Sequence, residues 1–270
     1  MTQLTWETAA DWDAAQSESG VVHESVANTD HDDATILKKG YSAASAFPEP
    51  ASLELYYPLH EDSGTTAFDQ SGNNRDATIN GGTLNASGLL GTTAISQDTT
   101  DDYVDTNIAP DTWGAPTTVT FWAYVDFLNT GSDLHSPFDT YDGNSQWFTT
   151  WNDDATDFRL STTDSPQIYV PYSVFTNDSW HFMALVFGNP GQKIYVDAVE
   201  EASDGSSIDV PPTSDIYLGA YNNTGSVQRN MGGKLWDYRV YSTELSASQI
   251  QGMYDVVNTP GELTTAVKTS

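Results

Sequence analysis

The chain has 270 residues, with 38 Asp and Glu set against 9 Lys and Arg, a net charge of -29, and no cysteine. A balance this acidic repels nucleic acid and anionic membrane surfaces, and the lack of cysteine rules out disulfides and thiolate metal sites. Hydrophobic content of 38% with 12% aromatics supports a core, so one large β-sandwich plus an extension is expected rather than a disordered chain. The acids are spread from Asp11 to Glu262 and are not gathered in a tail. At ordinary salt such self-repulsion strains the compact state; near molar salt, where the screening length is about 3 Å, it largely disappears. The composition is therefore read as that of an extreme halophile, the alternative being many calcium sites, which would cluster the acids. No apolar run is long enough for a membrane span, and residues 1–7 carry neither a basic nor an apolar signal region, so neither membrane insertion nor a secretion signal is expected.

Residues 1–50 read as an N-terminal attachment or oligomerisation arm, or as an extra layer on the sandwich. Thr8 to Gln16 fits a short amphipathic helix anchored by Trp12, Gly20-Val21-Val22 a brief strand, and Asn28 to Asp33 a polar, turn-rich run. Ile36-Leu37 and Gly40-Tyr41 then lead to a linker ending Phe47-Pro48-Glu49-Pro50. A main domain over 51–258 and a C-terminal tail over 259–270 complete the expected organisation.

In the main domain Leu53, Leu55 and Tyr57 alternate with Glu54 and Tyr56, the pattern of a strand with one face on a core. The Gly-rich stretch 81–91 reads as a loop-dominated connection, Val119 to Val125 as an alternating strand, and 128–142 as irregular. Short strands follow at 146–151, 158–161 and 167–170. Trp180 to Glu200 is a hairpin broken at Gly188-Asn189-Pro190-Gly191, with Phe182, Ala184 and Val186 on one face and Met183, Leu185 and Phe187 on the other. Apolar on both sides, it belongs inside a sandwich. Ser246 to Val256 reads as a helix capped by Ser246, with Ile250, Met253 and Tyr254 at helical spacing.

The hairpin WHFMALVFGNPGQKIYVDAVE resembles the "WHHVALVYDG…LYVDG" hairpin of laminin-G-like, concanavalin A-like jelly rolls. Its flanks are similar to the same family: the opening strand Leu55 to Leu59, the loop Asp62 to Asn73 with its "D-x-SGN" end, Thr100 to Val104, Val119 to Trp122, and, downstream, Tyr217-Leu218-Gly219, Gly233 to Tyr241 and Leu245 to Ile250. The resemblance covers about residues 52–256 in family order. It implies an all-β, antiparallel β-sandwich jelly roll carrying an N-terminal extension. It does not by itself imply a function, because the fold serves lectins, adhesins, enzyme appendages and structural modules.

Three chemistries were open to such a domain. Asp69 and Asn73, in a Gly-containing loop with Asp76 close behind, offer the hard oxygen ligands that Ca2+ takes, or else close an Asx turn. In related jelly rolls an acid of this loop and one from the late "G-K-(I/L)-x-D" strand can meet at the sandwich edge; the resemblance assigns that pair to Asp69 and Asp237. Asp101-Asp102 reads as a poorer second candidate or a solvated turn. For carbohydrate, Trp113, Trp122, Tyr141, Trp147, Trp151 and Tyr221 offer rings on which sugar C–H faces stack, with Asn222, Asn223 and Asp139 to bond hydroxyls. Trp151, beside Asn152-Asp153-Asp154, is the leading candidate, although any tryptophan of a sandwich also suits the core; Trp180 and Trp236 are assigned to packing.

Catalysis is not expected. The paired acids of retaining glucanases of this fold (E-x-D-x-E) and G-x-S-x-G are both missing, Glu200 and Glu201 are adjacent and point apart on a strand, and the histidines at 23, 31, 60, 135 and 181 show no metal-ligand spacing. His181 reads as a packing residue. Sequons at Asn85, Asn177 and Asn222 arise easily in a chain this rich in Ser, Thr and Asn. The expectation is a non-enzymatic binding or decoration protein on a virion surface, of capsid, turret or tail-fibre type, from a halophilic host. Residues 1–50 would join it to copies of itself or to other virion proteins, and the jelly roll would meet host-surface glycans. The alternative is a secreted or cell-surface carbohydrate-binding module.

Overall fold

The computed structural model describes residues 2–6, 21–25, 34–39, 47–97, 102–126, 134–141, 146–152, 155–163, 165–188, 191–206, 211–223, 226–258 and 263–268. The expected helix at Thr8 to Gln16 and the polar run Asn28 to Asp33 lie outside them. The strands before the main domain are β1 (Thr2–Trp6), β2 (Val21–Ser25) and β3 (Ala34–Lys39). Next come β4 (Leu53–Tyr57), β5 (Thr66–Ala67), β6 (Ala77–Asn80), β7 (Thr83–Ser87), β8 (Thr93–Gln97), β9 (Tyr103–Asp105), β10 (Thr117–Val125), β11 (Leu134–His135) and β12 (Phe138–Tyr141). They are followed by β13 (Gln146–Asn152), β14 (Asp157–Thr162), β15 (Ile168–Pro171), β16 (Ser179–Gly188), β17 (Gly191–Val196) and β18 (Val199–Asp204). The last are β19 (Tyr217–Leu218), β20 (Tyr221–Asn223), β21 (Ser226–Gln228), β22 (Gly233–Tyr241), the helix α1 (Ala247–Asn258) and β23 (Leu263–Lys268).

Residues 51–245 form one compact unit, an all-β antiparallel sandwich. Its first sheet runs β18-β17-β16-β10-β22-β8-β7, with β4 also paired to β22; its second runs β15-β14-β13-β12-β19-β9-β6-β5, with β11 on β13. The sequence dictates which strands are central. The hairpin β16–β17 is apolar on both faces, and its first strand sits between β17 and β10 and is buried from His181 to Gly188. Met183, Leu185 and Phe187 face the core between the sheets, where Phe187 stacks on Trp147 (centroids 4.5 Å, planes 11° apart) and meets Phe138 at a tilt (5.6 Å, 45°) from the second sheet. Phe182, on the other side of β16, packs on Trp122 at 5.3 Å. Gln97 ties the sheets with a bond from its Nε2 to the Leu218 carbonyl (3.2 Å), which requires the neighbouring glycine: a Cβ at Gly219, where φ is +81°, would stand 1.8 Å from Gln97 Oε1.

Two stretches expected to be loop contain strand. β7 lies within the Gly-rich 81–91 stretch and pairs with β8, while β11 and β12 lie within 128–142 and pair with β13. Strands of two to five residues with no sustained alternation take their definition from the neighbour they bond to.

The second compact unit combines residues 1–50 with 246–270. Its sheet order is β1-β23-β3-β2, so the segment expected as a tail contributes a strand, parallel to β1 and antiparallel to β3. The helix α1 groups with this unit rather than with 51–245, unlike the expected domain limit at residue 258. Pairing between Thr2 and Thr264 leaves no local signal, because both strands are short and lie far apart in sequence. The cap expected at Ser246 is present: the Gln249 N–H donates to Ser246 Oγ (3.3 Å) and the Ser246 N–H to Gln249 Oε1 (2.8 Å), a reciprocal box.

Candidate functional site

The candidate site lies on the outer face of the second sheet. Along each strand one set of residues enters the core (Trp147 and Trp151 on β13, Phe138 on β12, Leu218 on β19, Val104 on β9, Ile79 on β6), so the alternate set points away from it. The register aligns that alternate set into a row across six strands: Ser161, Phe148, Asp139, Tyr217, Asp105 and Thr78.

The hairpin β20–β21 is joined to the middle of this row by a bond from the Asn222 N–H to Asp139 Oδ2 (2.9 Å). The hairpin brings Tyr221 parallel to Tyr141 (5.7 Å, 15°) and edge-on to Phe148 (5.8 Å, 66°). The Arg229 guanidinium lies over Tyr221 at 4.3 Å and over Phe148 at 5.8 Å. Beyond Asp139, Tyr217 leans on Tyr103 at 5.4 Å. At the far edge of the sheet Tyr169 is 49% exposed, with Arg159 over its ring at 5.5 Å. The result is a surface of half-buried tyrosines, a guanidinium and short polar side chains, which combines flat apolar rings with hydrogen-bonding groups.

Asp139 is 0% exposed, and its Oδ1 accepts no hydrogen bond from the described residues. Burial pushes its carboxyl up to about 7, against the opposing pull of the Asn222 amide and the Arg229 charge. Burial first, and then the adjoining Asp105 carboxylate, raise the Tyr217 hydroxyl well above its usual range, so it stays a proton donor.

Of the nine residues expected to contact sugar, the structure brings Tyr141, Tyr221, Asn222 and Asp139 together on this face. Asn222 is largely buried and joins through its backbone N–H, and Asn223 continues the same strand. Trp151 and Trp147 require correction. Trp151 is 0% exposed and packs against Phe158 (4.7 Å) and Phe175 (5.8 Å), and Trp147 is stacked on Phe187, so neither presents a face to a ligand. The polar run after Trp151 made it look like a loop residue, but β13 extends to Asn152 and its period of two turns positions 147 and 151 inward. Trp122 is likewise buried, and Trp113 is half-buried, its Nε1 donating to Thr117 Oγ1 (3.2 Å). Sequence reasoning passed over Phe148 and Arg229. The signals were there: Phe148 alternates with the inward tryptophans, and Arg229 is one of only 9 basic residues in the chain.

The residues assigned to calcium do not fit that ion. Asp69 Oδ1 accepts the N–H groups of Tyr56 (3.1 Å) and Ser71 (2.9 Å), and its Oδ2 accepts Ser71 Oγ (2.8 Å) and the Arg75 N–H (3.0 Å). Asn73 turns its amide nitrogen to the carbonyls of Leu53 (3.0 Å) and Glu54 (3.1 Å), and Asp237 grips Arg239 with both oxygens (2.7 and 3.0 Å). Each group already has donors or acceptors inside the protein, which favours the Asx-turn alternative for the loop. Among the described residues no three acidic or histidine side chains converge as a metal-ligand set. His181 is buried, its Nδ1 on Asp197 (2.9 Å) and its Nε2 at the Thr176 backbone. Burial pulls its pKa down, but the hydrogen bonds with Asp197 and Thr176 and the Asp197 charge together outweigh that and raise it.

Residues 98–251 match the Laminin_G_3 family, described as the concanavalin A-like lectin/glucanases superfamily. That is more than half of the chain, and the chain belongs to this superfamily. Solved structures similar in fold include the receptor binding domain of botulinum neurotoxin C/D mosaic serotype (TM-score 0.61, 14% identity, 76% of this chain and 51% of that one). A Trypanosoma rangeli sialidase in complex with sialic acid matches with a TM-score of 0.59 at 14% identity, over 78% of this chain and 34% of that one. Domain 4 of AbnA, a GH43 extracellular arabinanase from Geobacillus stearothermophilus, in complex with arabinotriose, matches with a TM-score of 0.57 at 19% identity, over 77% of this chain and 98% of that domain. The chain thus spans about half of the neurotoxin domain and a third of the sialidase. At these identities the likeness is one of fold. No curated protein matches the chain.

Proposed function

We propose that the chain is a non-enzymatic binding and decoration protein that recognises saccharides on the outer face of its second sheet, displayed on the virion of a halophilic host. The observation that carries this reading is the half-buried Tyr141–Tyr221 stack held beside Arg229 on a face otherwise lined by short polar groups. Rings held rigid by stacking lose little entropy when a sugar docks. The superfamily and the arabinotriose-bound neighbour support the ligand class; the net charge of -29 supports the halophilic setting.

A binding role rather than a hydrolytic one is supported by the acids of the face. Asp105 and Asp139 are separated by Tyr217 in the register, two strand spacings or roughly 10 Å apart, well beyond the ~5 Å of a retaining pair, and the backbone of Asn222 covers Asp139. Residues 1–50 would join the protein to its particle, where display in many copies multiplies a weak sugar affinity. One observation favours the second reading, a carbohydrate-binding module of a secreted or surface protein: the match covers 98% of one domain of an extracellular enzyme.

The test is binding of the full-length protein to a glycan array and to whole halophile cells in about molar NaCl, where self-repulsion is screened, beside Tyr141→Ala and Tyr221→Ala variants. Binding lost in both variants supports the site. Binding retained in both moves recognition elsewhere, and no binding by the parent protein leaves a purely structural decoration module.

A further inference from the structure

We propose that the saccharide taken by this face is an acidic one, its carboxylate or sulfate ester bound by Arg229. The inference rests on the saccharide-binding reading above and specifies the chemical class of the ligand.

Residues 51–245 carry six basic side chains. Arg75 pairs with Glu54 (2.8 Å), Arg159 with Asp157 (3.0 Å), Lys193 with Glu244 (2.6 Å) and Arg239 with Asp237 (2.7 Å). Lys234 donates to the Ser87 carbonyl (3.4 Å). Arg229 makes neither an ion pair nor a side-chain hydrogen bond with any described residue; its guanidinium contacts only the faces of Tyr221 and Phe148. In a chain where acids outnumber bases 38 to 9, an arginine with no acid partner among the described residues runs against composition. Stacking on two aromatic rings holds the planar group still and leaves its N–H edge, a fork that matches the two oxygens of a carboxylate or sulfate.

Two further observations point the same way. Arg229 has a φ of +52°, a conformation that non-glycine residues seldom adopt, and its carbonyl is fixed by the Ser136 N–H (2.9 Å). The backbone is thus bent at the residue that presents the guanidinium. The acid set against Arg229 in the sheet below is Asp139, whose Oδ1 stays unpartnered among the described residues and which burial keeps largely protonated below about pH 7. Asp139 therefore offsets little of the Arg229 charge in mildly acidic solution. The Tyr221 hydroxyl, raised by its burial, is neutral there, so the charged group an entering anion meets at the stack is Arg229. A neutral sugar would need only the rings and hydroxyl partners; the guanidinium adds a contact that only an anion completes.

The experiment is titration calorimetry of the full-length protein in about molar NaCl, near pH 6, with two matched pairs of probes: oligogalacturonate against the same oligosaccharide with its carboxyls reduced, and dextran sulfate against dextran. The expected result is binding of one acidic probe at least tenfold tighter than its neutral partner. Arg229→Gln should lose that preference and Arg229→Lys keep part of it, both with unchanged melting temperatures. Whether the uronate or the sulfate is preferred identifies the acid group. Equal binding of acidic and neutral partners, or a preference that survives Arg229→Gln, overturns the proposal while leaving the saccharide reading in place. Failure of every acidic and neutral saccharide to bind overturns both.

Discussion

The two faces of β13 and β12 carry almost the same residue types and do opposite work. Trp147, Trp151 and Phe138 turn inward and are sealed among Phe187, Phe158 and Phe175; Phe148, Asp139 and Tyr141 turn outward and gather Tyr221 and Arg229 around them. Adjacent residues such as Trp147 and Phe148 are therefore placed in the core and on the outer face by a shift of one position. The difference teaches that aromatic content alone does not locate a sugar site on a sandwich. The parity of the strand decides, and parity follows from which partner strands fix the register.

The comparison can be broken by substituting on each face in turn. Trp151→Ala, on the inner face, should cost about 3–5 kcal/mol of stability by chemical denaturation, since a large fully buried ring leaves a cavity; a loss below about 1 kcal/mol would show that the ring is not core. Asp139→Asn, on the outer face, should act through pH. Its folded carboxyl, raised from 3.8 to about 7, contributes stability that is full below pH 4 and is lost as pH rises through 7. Relative to the parent, the variant should gain on going from pH 4 to pH 8, by at most about 4 kcal/mol at about 1.4 kcal/mol per pH unit. A pH-independent difference between the two would remove Asp139 as the titrating group.

Asp69→Ala orphans the donors of Tyr56, Ser71 and Arg75 and should cost about 2–3 kcal/mol. Because those donors already take both oxygens, chelation at constant ionic strength should leave the melting temperature of the parent and the variant unchanged; a fall confined to the parent would restore a calcium site. The smallest effect is expected for Tyr141→Ala. It removes one ring of a half-buried stack, worth about 1 kcal/mol of stability, while saccharide affinity should drop about tenfold.

The hairpin β16–β17 was legible because residues apolar on both faces of a strand have no stable place except between neighbours. The cap of α1 was equally plain, since Ser246 and Gln249 are local partners. For the loop at Asp69 the residues named both a ligand and a turn, and only the four donors around the carboxylate discriminate between them. Of the site, Tyr141 and Tyr221 were visible as candidates, but nothing local shows that they stack, because Tyr221 reaches the sheet through a bond between positions 83 apart.

The class of fold, the central hairpin, and the helix with its cap were all readable from the residues alone. These rest on composition and short-period pattern, which act between near neighbours along the chain. It took the folded arrangement to show which aromatics face outward, that Arg229 has no acid partner among the described residues, that Asp139 is buried, and that the strands near the two ends pair. Each of those depends on register between distant strands, and a shift of a single residue would exchange inside for outside.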